Sequence, residues 1–110
     1  MKLRRDNLDG SEVKNNDTYI VVDNTSLNNL VVSKTILHSS MSTSGHKHEG
    51  QEEVYHFIHG TGSMEIDGTF FEVATGDTVL IQDGVFHRVH NTSKIEDIVF
   101  ICVFDGSRSH

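Results

Sequence analysis

Four residues with metal-binding side chains, His46, His48, Glu53 and His87, are spaced so that folding can bring them to one ion. His46 and His48 are two residues apart, so in an extended strand both imidazoles point to the same face. Glu53 follows His48 by five residues, and His87 comes from a distant part of the chain. Three imidazoles and one carboxylate suit Zn, Fe, Mn, Co, Ni or Cu, and they do not suit Ca or Mg. The set predicts one divalent transition-metal ion.

The elements that must position these ligands are short strands. Runs rich in Val, Ile, Phe, Tyr and Thr, which favour strands, alternate with turn sequences such as Gly-Thr-Gly and Asp-Gly. Asp67-Gly68 is the two-residue sequence expected of a tight hairpin turn. Eight or nine short strands predict an all-β sandwich or barrel. The apolar runs cover residues 19–22, 30–37, 54–58, 63–66, 70–73, 78–81, 86–90 and 98–104.

The chain has the length of one domain. Its 110 residues fall in the common range of domain sizes. Residues 1–17 are polar and charged with few apolar anchors, which predicts an irregular N-terminal lead-in. Residues 18–110 then form the single domain.

The candidate ligands belong to two longer motifs, and through these the sequence resembles the cupin superfamily. The first cupin motif, G-x5-H-x-H-x3–4-E-x6-G, is matched over residues 46–60, and the second, G-x5-P-x-G-x2-H-x3-N, over residues 76–91. Ser40 stands where the first motif begins with glycine, and Gln82 stands where the second has proline. Both departures are at turn positions and not at ligands. The matching residues are His46, His48, Glu53, Gly60, Gly76, Gly84, His87 and Asn91.

The resemblance implies a compact, single-domain cupin. Its fold would be a small cupin β-barrel of the double-stranded β-helix or jelly-roll type. It would hold one metal ion through His46, His48, Glu53 and His87. Taken alone, the His46–His48 pair is better explained as two surface histidines, and the surrounding motifs change that interpretation. Cupins commonly pair, so the resemblance also implies a homodimer.

Strand alternation places other side chains near the predicted ion. If Glu53 points inward, so do Tyr55 and Phe57, and an inward His87 brings Val89 with it. Tyr55 would then offer a phenol as a catalytic acid, base or hydrogen-bond donor. Packing in the core explains a tyrosine at this position at least as well.

Several functions are compatible with such a site. An open metal position favours an enzyme that uses Lewis-acid chemistry, of the isomerase or epimerase type, on a sugar or a hydroxy or keto acid. One alternative is an Fe(II)-dependent dioxygenase, and others are a small-ligand binding or sensing module and a structural metal-bound barrel. The basic residues near the motifs are Lys47, Arg88 and Lys94, which supports a phosphorylated substrate only weakly.

Composition excludes some partners and suggests a compartment. A formal net charge of −7 argues against nucleic acid. The sequence has no apolar stretch of about 20 residues, so no membrane partner is expected. Cys102 is the single cysteine, which fits a reducing compartment, and the N-terminus does not resemble a signal peptide, so we expect a cytoplasmic protein. Residues 98–104 are apolar on both strand faces, which suits a strand covered from outside by a partner subunit.

Overall fold

The computed structural model describes residues 1–106, and within this range the regular elements are all strands. No helix of the described residues is long and apolar enough to cross a membrane. The all-β prediction is confirmed. The strands are β1 (Ser11–Asn15), β2 (Tyr19–Asn24), β3 (Leu30–Leu37), β4 (Glu53–His59), β5 (Thr61–Ile66), β6 (Thr69–Ala74), β7 (Thr78–Ile81), β8 (His87–His90) and β9 (Ile98–Asp105).

The strands form two antiparallel sheets. A six-stranded sheet has the order β1-β2-β3-β9-β4-β7, and a three-stranded sheet has the order β6-β5-β8. The core cluster draws side chains from both sheets, including Phe57 and Phe100 from the larger and Met64 and Val89 from the smaller. The two sheets therefore pack face to face around one core.

Strand alternation accounts for this core. In β9, Phe100, Cys102 and Phe104 are buried, whereas the intervening Ile101 and Val103 are half-buried. Each fully buried aromatic or aliphatic side chain stabilises the fold by about 1.5–3 kcal/mol. The two-faced apolar character predicted for this strand is present: one face fills the core, and the other lies on the outside of the larger sheet.

The predicted irregular lead-in, residues 1–17, contains a strand that the sequence analysis missed. Strand β1 pairs antiparallel with β2 at the edge of the larger sheet. Four of its five residues are exposed, so it lacks the apolar alternation that marks a strand in the sequence. Backbone hydrogen bonding to β2, and not burial, holds this edge strand in place. The last four residues of the predicted domain, 107–110, lie outside the described residues.

The turn at Asp67-Gly68 has the predicted hairpin geometry. Ile66 pairs with Thr69 across it, and both turn residues have positive φ, 46° for Asp67 and 83° for Gly68. These values correspond to a type I′ turn, whose twist suits a two-residue hairpin. Asp67 also holds the chain before His87: its carboxylate accepts a hydrogen bond from Phe86 N at 3.1 Å, and its own N–H donates to Phe86 O at 3.0 Å.

The two departures from the cupin motifs lie in turns, as expected. Ser40 has φ of 64°, the left-handed conformation that glycine adopts without steric cost. Its backbone is held there by a hydrogen bond from Ser40 N to Ser93 O at 2.8 Å. Gln82 accepts a hydrogen bond from Val85 N at 3.2 Å in the loop between β7 and β8. A serine thus occupies a strained backbone position where the motif has glycine.

Candidate metal centre

The site joins His46 and Glu53, which are seven residues apart in the sequence, to the distant His87. Glu53 is the first residue of β4, and His87 is the first residue of β8. His46 lies outside the named strands and joins His87 through an isolated antiparallel bridge. His46 N donates to His87 O at 3.2 Å, and His87 N donates to His46 O at 3.0 Å. Backbone pairing therefore places the two imidazoles side by side.

The side chains of His46, Glu53 and His87 converge on one point. One ligand atom from each lies within 4.8 Å of the others. His87 and Glu53 are 2% and 7% exposed, and His46 is half-buried. Three of the four predicted ligands are thus brought together where the two cupin motifs meet.

The orientation of both imidazoles is fixed by backbone carbonyls. His46 Nδ1 lies 3.1 Å from Ser44 O, and His87 Nδ1 lies 3.0 Å from Val85 O. A carbonyl can only accept, so each Nδ1 carries a hydrogen, and in the neutral ring Nε2 then carries the lone pair. Such contacts set the tautomer of metal-binding histidines and hold the ring in place. Nε2 is therefore the ligand atom that each of these rings offers.

The pKa values of the three groups reflect their proximity. Burial lowers the pKa of His46, and the neighbouring His87 lowers it further. Burial raises the pKa of Glu53, but its interactions with His87 outweigh that effect, so its pKa is lowered. Burial lowers the pKa of His87, whereas Glu53 and the Val85 carbonyl raise it above its ordinary value. Glu53 is therefore held as a carboxylate and His46 as a neutral imidazole, the forms that bind a metal.

The donor set fits a divalent transition metal. His87 Nε2 is enclosed, and its contact with Glu53 Oε1 is 3.5 Å, longer than a normal N–H···O hydrogen bond. Donors about 2.0–2.2 Å from an ion lie roughly 3–4 Å from one another, so only small side-chain movements are needed to close the site. Two oriented imidazoles and a carboxylate are also the chemistry such ions prefer.

His48, the fourth predicted ligand, lies beside this group but not within it. Its ring centroid is 4.6 Å from that of His46 and 6.3 Å from that of His87. Gly84 N donates to His48 O at 3.1 Å, which links the segment to the loop before β8. The segment from His46 to His48 is not a regular strand, so the expectation that both rings share a strand face does not describe it.

Gly45 and Phe86, which precede His46 and His87, contact each other across the site, and sequence reasoning missed them. A Cβ atom built on Gly45 would overlap the tip of the Phe86 ring. The close approach of these two residues thus depends on glycine at position 45. No motif position marked Gly45, because the requirement comes from a contact between distant segments.

Tyr55 faces inward, as alternation predicted. It is buried, and its ring centroid is 5.5 Å from that of His87. The ring also stacks on Phe100 at 5.3 Å and belongs to the core cluster. Phe57 and Val89 are buried as well, whereas His59 is exposed. Tyr55 therefore packs in the core and lies next to the candidate ligands.

A cavity of ≈ 230 Å³ opens beside the site. His46 and Glu53 form part of its wall, together with Tyr55. Lys14 also lines it, and the sequence analysis missed this residue because it lies in the predicted lead-in. The remaining lining residues are Tyr19, Val21, Ser33, Thr35, Thr43, Ser44, Phe100 and Cys102. The cavity is suited to a small ligand with several oxygen atoms.

Three other histidines make separate contacts outside the three-residue group. His38 Nδ1 lies 3.3 Å from an Asp97 carboxylate oxygen, and His56 Nδ1 lies 2.8 Å from Thr78 Oγ1. His90 contacts Glu65 at 3.3 Å. These three histidines therefore have structural contacts of their own, separate from the candidate metal ligands.

The fold and the paired motifs define a cupin. Residues 35–104 match the cupin domain family, so the chain belongs to that family. This confirms the resemblance inferred from the motifs.

Curated relatives that resemble the chain include proteins from an archaeon and a bacterium. The uncharacterized protein MJ1618 of Methanocaldococcus jannaschii is 34% identical over 74 residues, 67% of this chain and 53% of that protein. The oxalate-binding protein of Thermotoga maritima is 33% identical over 58 residues, 53% of this chain and 47% of that protein. The chain thus spans about half the length of the curated relatives it matches.

The solved structures show the same fold over nearly the whole chain. KdgF from Halomonas sp. has a TM-score of 0.80 at 15% identity, covering 97% of this chain and 94% of that one. A predicted oxalate decarboxylase from Thermotoga maritima has a TM-score of 0.81 at 21% identity, covering 96% and 98%. At these identities the likeness establishes the cupin fold and nothing about activity.

Proposed function

We propose that the protein binds one divalent transition-metal ion and uses it as a Lewis acid on a small oxygenated metabolite, such as a sugar or a hydroxy or keto acid. The reaction would be of the isomerase or epimerase type. The observation that carries this proposal is the convergence of His46, Glu53 and His87 within 4.8 Å, next to a cavity that a small molecule can enter. His48 is proposed as the fourth ligand because its ring adjoins that of His46.

The chemistry of the bound ion follows from its charge. A divalent ion with one carboxylate ligand has a net charge of +1, and it would polarise a hydroxyl, enolate or carboxylate oxygen of the substrate. The two carbonyl-anchored imidazoles keep their lone pairs aimed inward. The buried ring of Tyr55 and the core behind it limit access of water to that side of the cavity.

Tyr55 is the residue proposed to hold or transfer a proton. Its side chain lines the cavity, and its ring lies beside His87. A phenol can donate a hydrogen bond to a substrate oxygen or accept a proton from it. Tyr55→Phe keeps the aromatic packing against Phe100, so this variant separates a chemical role from a packing role.

Metal content tests the site. We expect His46→Ala, Glu53→Ala and His87→Ala each to bind well under one equivalent of metal, because each removes a converging donor. His59→Ala, an exposed histidine at the end of β4, is the matched control and should retain one equivalent. Elemental analysis after equilibration with Zn or Mn gives the result. One full equivalent in all three ligand variants would refute the metal centre.

Solvent exchange tests the Lewis-acid reaction. Isomerases and epimerases of this type transfer a proton at the carbon beside a carbonyl. Metal-loaded protein in D2O should therefore incorporate deuterium into a hydroxy or keto acid or a sugar from a panel followed by NMR. Tyr55→Phe should slow exchange without loss of metal.

A second candidate is a binding module without catalysis. The curated relative named as an oxalate-binding protein favours it. It predicts ligand binding by calorimetry with neither exchange nor turnover. The donor set also suits iron, so a dioxygenase is a further outcome: Fe(II)-loaded protein would then consume oxygen with some member of the panel, and uptake with none would exclude it.

We further propose that a second copy of the chain covers the outer face of the larger sheet. Leu80 is 71% exposed on this face, and Val54, Ile58 and Leu30 are exposed near it. A groove lined by Val54, Leu80 and Val103 continues the apolar surface. Such a contiguous apolar patch favours association. In a dimer with two-fold symmetry, the patch of one copy would pack against the same patch of the other. Leu80→Glu should convert a dimer into a monomer in light scattering, and a monomeric wild type would refute the pairing.

A further inference from the structure

Lys14 reaches the cavity because of an irregularity in β1. Glu12 pairs with Val22, but Lys14 pairs with Val21, so Val13 is an extra residue between them. Regular alternation would have placed Val13 opposite Val21 and turned Lys14 to the other face. The bulge exchanges their positions: Val13 is 47% exposed, and Lys14 lines the cavity beside the buried Val21. Bulges of this kind re-aim a side chain and are common beside functional sites.

The ammonium group of Lys14 is positioned by one neighbour. Its Nζ lies 3.3 Å from the hydroxyl of Tyr19 and 5.4 Å from the centre of that ring. Among the salt bridges of residues 1–106, none involves Lys14. Its charge is therefore available to a ligand inside the cavity.

The charges of the cavity favour an anion. The carboxylate of Glu53 lines the same cavity, and a divalent ion bound to it would leave a net positive charge. Lys14 adds a second positive charge within the same small volume. Thr35 also lines the cavity, and a threonine hydroxyl can hydrogen-bond a neutral part of a ligand. A ligand with one negative group at the ion and another at Lys14 would neutralise both.

We propose that Lys14 and the Tyr19 hydroxyl form a carboxylate-binding subsite, so that the preferred ligand is a small hydroxy or keto acid with a second carboxylate. This inference rests on the proposed metal centre, which would bind the oxygens at the other end of the same molecule. Lys14 then selects for a diacid, whereas the metal ligands provide the affinity shared by all hydroxy acids. The subsite belongs to β1 and β2 and therefore lies outside both cupin motifs.

A pair of matched probes tests the subsite. (S)-Malate and (S)-2-hydroxybutyrate present the same hydroxy acid group to the metal, and they differ by a carboxylate in place of a methyl group. Calorimetry with the zinc-loaded protein should show at least about tenfold tighter binding of malate, since a charge-assisted hydrogen bond contributes about 1.4 kcal/mol or more. Lys14→Gln should reduce this preference to within about twofold and leave the affinity for 2-hydroxybutyrate unchanged.

Two further variants keep the result interpretable. Lys14→Arg retains the charge and should retain most of the malate preference. Lys34→Gln removes the same charge from a lysine whose ammonium group contacts the carbonyl oxygens of Arg5 and Asp6, and it should keep the full preference. A wild type without preference for malate, or a Lys14→Gln variant that keeps it, would overturn the subsite.

Titrations without metal distinguish a failure of the Lys14 subsite from a failure of the proposed metal centre. Each titration is repeated with metal-free protein, in which both probes should bind far more weakly. If affinity were unchanged without metal, the proposed metal role would fail, and the comparison of Lys14→Gln with wild type would still decide the subsite. Equal metal content in all four proteins confirms that any loss arises at Lys14.

Discussion

Gly45→Ala should weaken metal binding although position 45 carries no ligand. The added Cβ would overlap the tip of the Phe86 ring. The backbone of Phe86 cannot easily retreat, because Asp67 holds both its N–H and its carbonyl. The ring must therefore rotate, or the segment carrying His46 must move away from the one carrying His87. Overpacking of this kind costs about 1–3 kcal/mol.

The same displacement acts on the metal site. His46 directly follows Gly45, and the carbonyl of Ser44, two residues before it, orients its ring. Loss of such orienting contacts typically lowers metal affinity by about 10–100-fold. We expect Gly45→Ala to lie in this range. Competition with a chromophoric chelator measures the affinity, and urea denaturation of the metal-free protein measures the change in stability.

Matched variants assign the effect to the Phe86 contact. Gly50→Ala lies in the same loop, and a Cβ atom there would meet nothing within 4 Å. Its φ of 80° makes alanine strained by about 1–2 kcal/mol, so stability should fall while metal affinity holds. Phe86→Ala added to Gly45→Ala should restore most of the affinity. Wild-type affinity in Gly45→Ala alone, or no recovery in the double variant, would refute the reasoning.

Three further predictions each concern one residue: Ser40, His87 or Asp67. Ser40→Gly should stabilise the protein by up to about 1 kcal/mol in urea denaturation, because glycine relieves the left-handed strain, whereas Ser40→Val should destabilise it. Metal affinity should fall as the pH drops through the raised pKa of His87, since the proton that Glu53 helps to retain must leave before metal binds; chelator competition across a pH series gives the slope. Asp67→Ala should lower stability by about 1–2 kcal/mol in the same denaturation assay, because it removes the side-chain hydrogen bond to Phe86 and a residue suited to positive φ.

Strands with apolar alternation were predictable from the sequence. The predicted ranges 30–37 and 78–81 coincide with β3 and β7, and the others differ from the observed strands by one or two residues at their ends. These strands bury alternate side chains, so the alternation of apolar and polar residues in the sequence indicates where they lie. Strand β1 buries almost nothing, and it is supported by the backbone pairing with β2 and by the contact of Lys14 with Tyr19. A pattern based on burial cannot detect a strand of that kind.

Some residues of the candidate site were likewise predictable from the sequence, and others were not. The imidazoles and the carboxylate were predictable because few residue types bind transition metals and their spacing follows the cupin motifs. The contributions of Gly45 and Lys14 were not, because each depends on backbone geometry: a close approach to Phe86 in one case and a bulge at Val13 in the other. Neither the close approach nor the bulge can be recognised from residue type or spacing.

The position of the site explains why backbone geometry matters so much here. The segment that carries His46 pairs with β8 through two isolated bridges, Ser42 with His90 and His46 with His87, so backbone hydrogen bonds set the distance between the imidazoles. Glu53 is better anchored, because β4 pairs on both sides, with β7 and with β9. His87 begins β8, which pairs with β5, so of the three converging residues His46 is the one that lies outside the named strands. A bound ion would join the segment carrying His46 to β4 and β8, and metal binding should stabilise this end of the barrel more than the opposite end.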